Sequence, residues 1–196
     1  MITVKRWWQT LVRVKREILR RDRSDVELAI DEYSQAIALA PEDTAAYYQR
    51  GLAYTGTGDL DLAIADFDQA IALEAEAANV FVSRGNVYAD KGELDRAIAD
   101  YDQAVALEPD NIAAYYNRGN VYAEKGDLDR AIVEWTMTLV FCPDDAISYY
   151  NRGRAHALKD DFGRAAFDFR KVLETSQDPA LRQQAQELLQ VLGGSA

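Results

Sequence analysis

One cysteine, one histidine and four prolines occur in 196 residues. The single Cys142 excludes an internal disulfide framework and fits a reducing compartment. No apolar run approaches the roughly 20 residues that span a bilayer. The segment from Met1 to Leu19 is broken by charge and lacks the apolar centre of a secretory signal. We expect a cytoplasmic protein, with a peripheral membrane role left open by its first residues. His156 and Cys142 have no neighbouring cysteine or histidine in sequence, so no zinc-type site is arguable. Asp127, Asp129, Asp144 and Asp145 lack the glycine-centred loop and closing glutamate of a calcium site, and read as caps and solvated faces. Neither a phosphate-binding glycine loop nor a nucleophile elbow is present. We therefore expect a protein that is not an enzyme and needs no cofactor and no metal.

Apolar residues make up 48% of the chain, enough for a packed structure. Alanine, leucine and charged residues dominate, a helical composition. The net charge of −11 is unevenly spread. Residues 1–23 carry Lys5, Arg6, Arg13, Lys15, Arg16, Arg20, Arg21 and Arg23 against Glu17 and Asp22, a net +6 that leaves −17 for the remainder. An acidic body argues against nucleic acid as a partner, because phosphate binding needs a basic face.

A repeat of 34 residues organises most of the chain. Gly51, Gly85, Gly119 and Gly153 are spaced by that period, and each follows an arginine: Arg50, Arg84, Arg118 and Arg152. In the same register stand Tyr54, Tyr88, Tyr122 and His156, then Ala63, Ala97, Ala131 and Ala165, then Phe67, Tyr101, Trp135 and Phe169. A fixed period of this length implies stacked helical hairpins. In the copy at 112–145 we expect a first helix over Ile112 to Lys125, a turn at Gly126-Asp127 and a second helix over Leu128 to Phe141, stopped by Pro143. Gly58-Asp59 and Gly92-Glu93 repeat the turn, whereas Asp160-Asp161 makes a less ideal one. Gly119 and Ala131 are placed where two helices cross closely, and Trp135 between neighbouring units. Sixteen residues after each arginine comes an acid, Asp66, Asp100, Glu134 or Asp168, which predicts an ion pair in every unit. Proline closes three units, at Pro41, Pro109 and Pro143, but not the unit 44–77, where Glu74-Ala75-Glu76 offers no stop. A softer helix end is expected there.

These residues resemble the tetratricopeptide repeat (TPR) pattern W-x2-L-G-x2-Y…A-x3-F…P, which stands here as Tyr115-x2-Arg118-Gly119-x2-Tyr122…Ala131-x3-Trp135…Pro143. The resemblance implies an all-α, right-handed superhelical solenoid of about 4.5 repeats with a C-terminal capping helix. The segments are a basic N-terminal helix (1–23), a partial unit (24–43), full units at 44–77, 78–111, 112–145 and 146–177, a capping helix (178–192) and a tail (193–196).

The resemblance further implies that the first helix of each unit lines a concave groove that holds a peptide or helix of another protein. On that pattern the groove residues are Tyr48, Gln49 and Leu52, then Val82, Ser83, Asn86 and Asp90, then Tyr116, Asn117, Asn120 and Glu124, then Tyr150, Asn151 and Arg154. An asparagine amide donates and accepts at once, so it suits a peptide backbone. Some family members clamp a C-terminal carboxylate with lysines. Those lysines are missing here, and Asp90 and Glu124 argue for a neutral or basic segment instead. The function implied is a non-catalytic scaffold or adaptor, an assembly factor or co-chaperone.

Residues 2–20 stand apart. Val4, Trp7, Leu11, Val14 and Ile18 form one stripe, widened by Trp8 and Leu19, with Arg13 and Arg16 largely elsewhere. A basic amphipathic helix with tryptophans is a membrane-surface pattern. Three readings stay open: a cap on the first hairpin, a contact with a membrane surface, and docking onto another copy in a homo-oligomer.

Overall fold

The computed structural model describes residues 25–74 and 76–193. The expectations for Trp7, Trp8, Leu11, Arg13 and Arg16 lie outside the described residues. Every regular element among the described residues is helical. Helix α1 covers residues 25–39. It is followed by α2 (Thr44–Thr57), α3 (Leu60–Leu73), α4 (Ala78–Asp90), α5 (Leu94–Leu107) and α6 (Ile112–Glu124). Then come α7 (Leu128–Phe141), α8 (Ala146–Leu158), α9 (Phe162–Thr175) and α10 (Pro179–Gly193). The chain divides into two compact units, Met1–Val87 and Tyr88–Ala196.

Local chemistry sets the boundaries. Asp43, Asn111 and Asp145 cap the first helices of their hairpins by accepting from the backbone N–H of Ala46, Ala114 and Ser148. Gly58, Gly92 and Gly126 make the tight turns with φ of +85°, +74° and +80°, a region that costs glycine little. The fourth turn uses Asp160 at φ +58°, as its sequence foretells, and Asp161 caps α9 by accepting from the Arg164 N–H at 3.1 Å.

The soft end expected after α3 is corrected by the structure. Helix α3 stops at Leu73, and Glu74 is extended (φ −141°, ψ 90°) much as Glu108 is (φ −128°, ψ 91°) at the proline-closed end of α5. Proline is therefore not required for this stop. Val80 and Val87 on α4 join Ala63, Phe67 and Ala70 in one buried cluster, and turning the chain into α4 is what allows that burial.

The repeat glycines admit an aromatic ring. A Cβ on Gly51 would meet the Phe67 ring at 2.6 Å, one on Gly119 the Trp135 indole at 2.9 Å, and one on Gly153 the Phe169 ring at 2.9 Å. The ring thus fills its own hairpin as well as the junction with the next, since Trp135 also clusters with Ala155. Alanines 63, 97, 131 and 165 are all 0% exposed, as close helix crossing demands.

The arginines bridge in two directions. Arg50 grips Asp66 through Nε and Nη2, both at 2.7 Å, and donates from Nη1 to Ser34 at 3.0 Å. Arg152 grips Asp168 in the same way, at 2.9 and 2.7 Å, and reaches Thr136 at 3.0 Å. Arg118 pairs with Glu134 at 2.7 Å and Asp102 at 2.5 Å, and Arg84 pairs with Asp68. Each bridge ties a hairpin to the second helix of the preceding one. Burial raises the Glu134 carboxyl above its ordinary value although Arg118 opposes the rise.

Helix α10 covers the end of the chain's second unit. Ala185 is buried with Val172 and Phe169, and Leu181, Leu188 and Leu192 pack around them. Arg182 donates to the carbonyls of Leu173 and Ser176, satisfying the C-terminal end of α9. Asp178 caps α10 by accepting from the Ala180 N–H at 2.9 Å.

Candidate partner-binding site

The exposed faces of the first helices carry most of the residues singled out in sequence. On α6 and α8, Tyr116, Asn120 and Asn151 are drawn into one hydrogen-bonded cluster. The Trp135 Nε1–H donates to Asn120 Oδ1 at 3.2 Å. The Asn151 amide donates to the same oxygen at 3.4 Å and to the Tyr116 hydroxyl at 3.3 Å. Helix periodicity produces this arrangement, because Tyr116 and Asn120 are one turn apart and Asn151 projects from the neighbouring hairpin.

The cluster borders a cavity of about 260 Å³ lined by Asn120, Trp135, Asn151, Arg154 and Leu158 among others. Arg154 lies with its guanidinium 5.7 Å from the Tyr150 ring centroid. Arg154 is exposed and makes no ion pair among the described residues. Tyr150 is itself backed by Phe169, with ring centroids 6.1 Å apart. The opening therefore combines amide and guanidinium donors with an apolar rim, which suits carbonyl groups flanked by side chains.

Other predicted residues are distributed as follows. Tyr48 and Ser83 share a hydrogen bond at 3.3 Å, and Tyr48 packs on Phe67 with centroids 6.0 Å apart. Gln49, Leu52, Asp90 and Glu124 are exposed, and Asn86 and Asn117 are half-buried. Val82 is buried at 9% exposure and offers little surface to a partner. Leu158, 71% exposed, was not foreseen at this site. The signal was present, since Leu158 stands 34 residues after Glu124 and 68 after Asp90.

Two other residues singled out in sequence lie outside the lining of this opening. His156 is buried, and burial lowers its pKa below the ordinary value, with Asp168 and Asp161 opposing. Cys142 is half-buried and unpaired at the end of α7. No cluster of potential ligands for a metal occurs among the described residues. No helix among them is long and apolar enough to cross a membrane.

Comparison with known proteins places this geometry. A TPR repeat model matches residues 19–58, 85–126 and 119–160, and tetratricopeptide repeat models match 44–76 and 146–179. The crystal structure of MamA is similar, with 26% identity over 80% of this chain and 91% of that one, at a TM-score of 0.75. MamA 41-end from Desulfovibrio magneticus RS-1 is 25% identical over 87% of this chain and 96% of that one, at a TM-score of 0.73. YrrB, described as a TPR protein with an unusual peptide-binding site, shares the fold at 24% identity, covering 86% of this chain and 87% of that one with a TM-score of 0.70. No curated relative matches the chain. The fold supports a protein–protein interaction scaffold, and proteins built this way are typically non-catalytic interaction modules. By its repeats, its helical hairpins and the models that match it, the chain belongs to the tetratricopeptide repeat family.

Proposed function

We propose that this protein is a non-catalytic adaptor that captures an extended segment or helix of a partner on its first-helix faces. The observation that carries the reading is the opening lined by Asn120, Asn151, Arg154 and Leu158, where polar donors and apolar rim converge. Tyr116, Asn117 and Glu124 on α6 and Tyr150 on α8 extend that surface. In the first compact unit Tyr48, Gln49, Leu52, Ser83 and Asn86 supply the corresponding positions. The likeness to YrrB supports the class of ligand, a peptide. Main-chain carbonyls would meet the asparagine and arginine donors, and the acidic body favours a neutral or basic segment.

Asn120 holds Trp135, so its removal would disturb packing as well as binding. Arg154 and Leu158 are better probes, because both are exposed. Affinity capture from native extract is expected to retain a partner on the unaltered chain and lose it from the Arg154→Glu, Leu158→Ala double variant, at unchanged melting temperature. Equal retention by both would refute the assignment.

A further inference from the structure

The loop edge at the ends of α5 and α7 carries a group of exposed apolar side chains. Leu107, Ile112, Val140, Phe141 and Ile147 are between 37% and 62% exposed, and all lie in the second compact unit. Internal contacts hold the two loops of this edge together. Phe141 stacks on Tyr115 with ring centroids 5.9 Å apart, and the Tyr115 hydroxyl donates to the Pro109 carbonyl at 3.1 Å. The loop at 108–111 therefore sits beside the end of α7, where the loop at 142–145 begins.

The repeat register shows that apolar bulk is added here. Val140 stands where two other units hold Ala72 and Ala106, and Ile147 where they hold Ala45, Asn79 and Ala113. Neither addition fills the interior, since Val140 is 62% exposed and Ile147 50%. Single exposed apolar residues are ordinary, but bulk gathered on one edge marks an interaction surface.

The same edge is acidic. Glu108, Asp110 and Asp144 are exposed and make no ion pair among the described residues. Residues 97–117 and 131–151, which build the edge, contain no lysine or arginine. Arg118 and Arg152, the next cations along the chain, are taken by Glu134 and Asp168. Lys171, whose charge reaches Asp144, is hydrogen-bonded to Glu174 at 2.6 Å. Three carboxylates thus border the apolar residues without a cation of their own.

The chain itself contains a segment of the complementary chemistry. Residues 2–20 hold six cations against one acid, together with Trp7, Leu11, Val14 and Ile18 at helical spacing. We propose that the edge docks residues 2–20 of a second copy. The apolar stripe lies against Ile112, Val140, Phe141 and Ile147, and the flanking arginines meet Glu108, Asp110 and Asp144. Tryptophan and arginine are the side chains that most often anchor such contacts. The edge is exposed in the isolated chain, so the segment comes from another copy. Each copy then offers one segment and one edge, a head-to-tail contact that extends to rings or longer assemblies.

The test uses the purified full-length protein with a photoreactive amino acid in place of Ile147. Light and nitrogen-15-labelled copies are mixed in equal amounts and irradiated, and the joined peptides are read by mass spectrometry. Position 147 is expected to be joined to residues 2–20, with light–heavy pairs present. In sedimentation equilibrium the unaltered chain is expected to exceed its 22.0 kDa monomer mass as concentration rises, less so at high salt. An edge variant (Asp110→Lys, Asp144→Lys) and a segment variant (Arg13→Glu, Arg16→Glu) should each weaken this association by about tenfold or more, at unchanged melting temperature. Their mixture should associate again, because each supplies the surface that the other has lost. An edge that instead takes a basic segment of a different protein, or a segment that serves only a membrane surface, would leave the purified chain monomeric and overturn the proposal. Adducts to residues outside 2–20, adducts confined to one copy, or a mixture that associates no better than either variant alone would do the same.

Discussion

Arg118 holds Glu134 through one hydrogen bond of 2.7 Å, and the Arg118 Nε is left buried without a partner. Arg152 holds the shorter Asp168 through two bonds, with no nitrogen stranded in that way. The extra methylene of glutamate replaces a fork with a single prong, while Nη1 reaches back to Asp102 just as that of Arg50 reaches Ser34 and that of Arg152 reaches Thr136.

The pairs should therefore differ in worth. Asp168→Ala strands a largely buried guanidinium and is expected to cost about 3–5 kcal/mol in urea unfolding. Asp129→Ala, which frees Lys159 at an exposed site, should cost less than about 1 kcal/mol. Glu134→Asp should gain about 1 kcal/mol by satisfying the Arg118 Nε. Equal losses for Asp168→Ala and Asp129→Ala would contradict the role given to burial.

Gly119→Ala should be destabilising although alanine is the better helix former. The added methyl group would press on the Trp135 indole and the Glu134 Cβ, at 2.9 and 3.1 Å. Overpacking of this kind costs about 1–3 kcal/mol, against a propensity gain of up to about 1 kcal/mol. A variant as stable as the parent in thermal unfolding would show that the ring has room to move.

Much of this was legible in the sequence because each hairpin solves the same packing problem with the same residues. Gly119, Ala131 and Trp135 recur in register because two helices and one ring must share a narrow space. The forward pairing of Arg118 with Glu134 is legible for the same reason. The backward pairing with Asp102 at the same separation was not, since Asp102 belongs to the preceding hairpin and only stacking brings it near. The end of α3 was misread because proline was taken for the cause of the stop, whereas Glu74 becomes extended without it. At the candidate site, Asn120 and Asn151 were legible from register, but their shared contact depends on how α6 meets α8.

The last unit departs from the others at two positions that should respond to repair. Asp160→Gly relieves a positive φ and is expected to stabilise by about 1 kcal/mol. Ser148→Ala removes a fully buried hydroxyl without a partner and restores the residue found at Ala46 and Ala114, for about 1 kcal/mol more. Chemical denaturation measures both, and a loss in either case would contradict the local account.

Stability should also fall on mild acidification. Burial depresses the His156 pKa from its ordinary 6.5, so the unfolded chain takes up this proton first. The stabilisation is complete above about pH 6.5 and is lost as pH drops toward the folded-state value. His156→Tyr should flatten this part of the profile relative to the parent. An unchanged slope would show that other groups govern it.

The central claim, that the opening around Asn120, Asn151 and Arg154 receives a partner, is tested most directly by photo-crosslinking. A photoreactive amino acid replaces Leu158 in the full-length protein, with the exposed Leu39 as the control position. Irradiation in native extract is predicted to give a discrete protein adduct from position 158, absent from position 39 and suppressed by Arg154→Glu. No adduct from 158, or the same adducts from both positions, would contradict it.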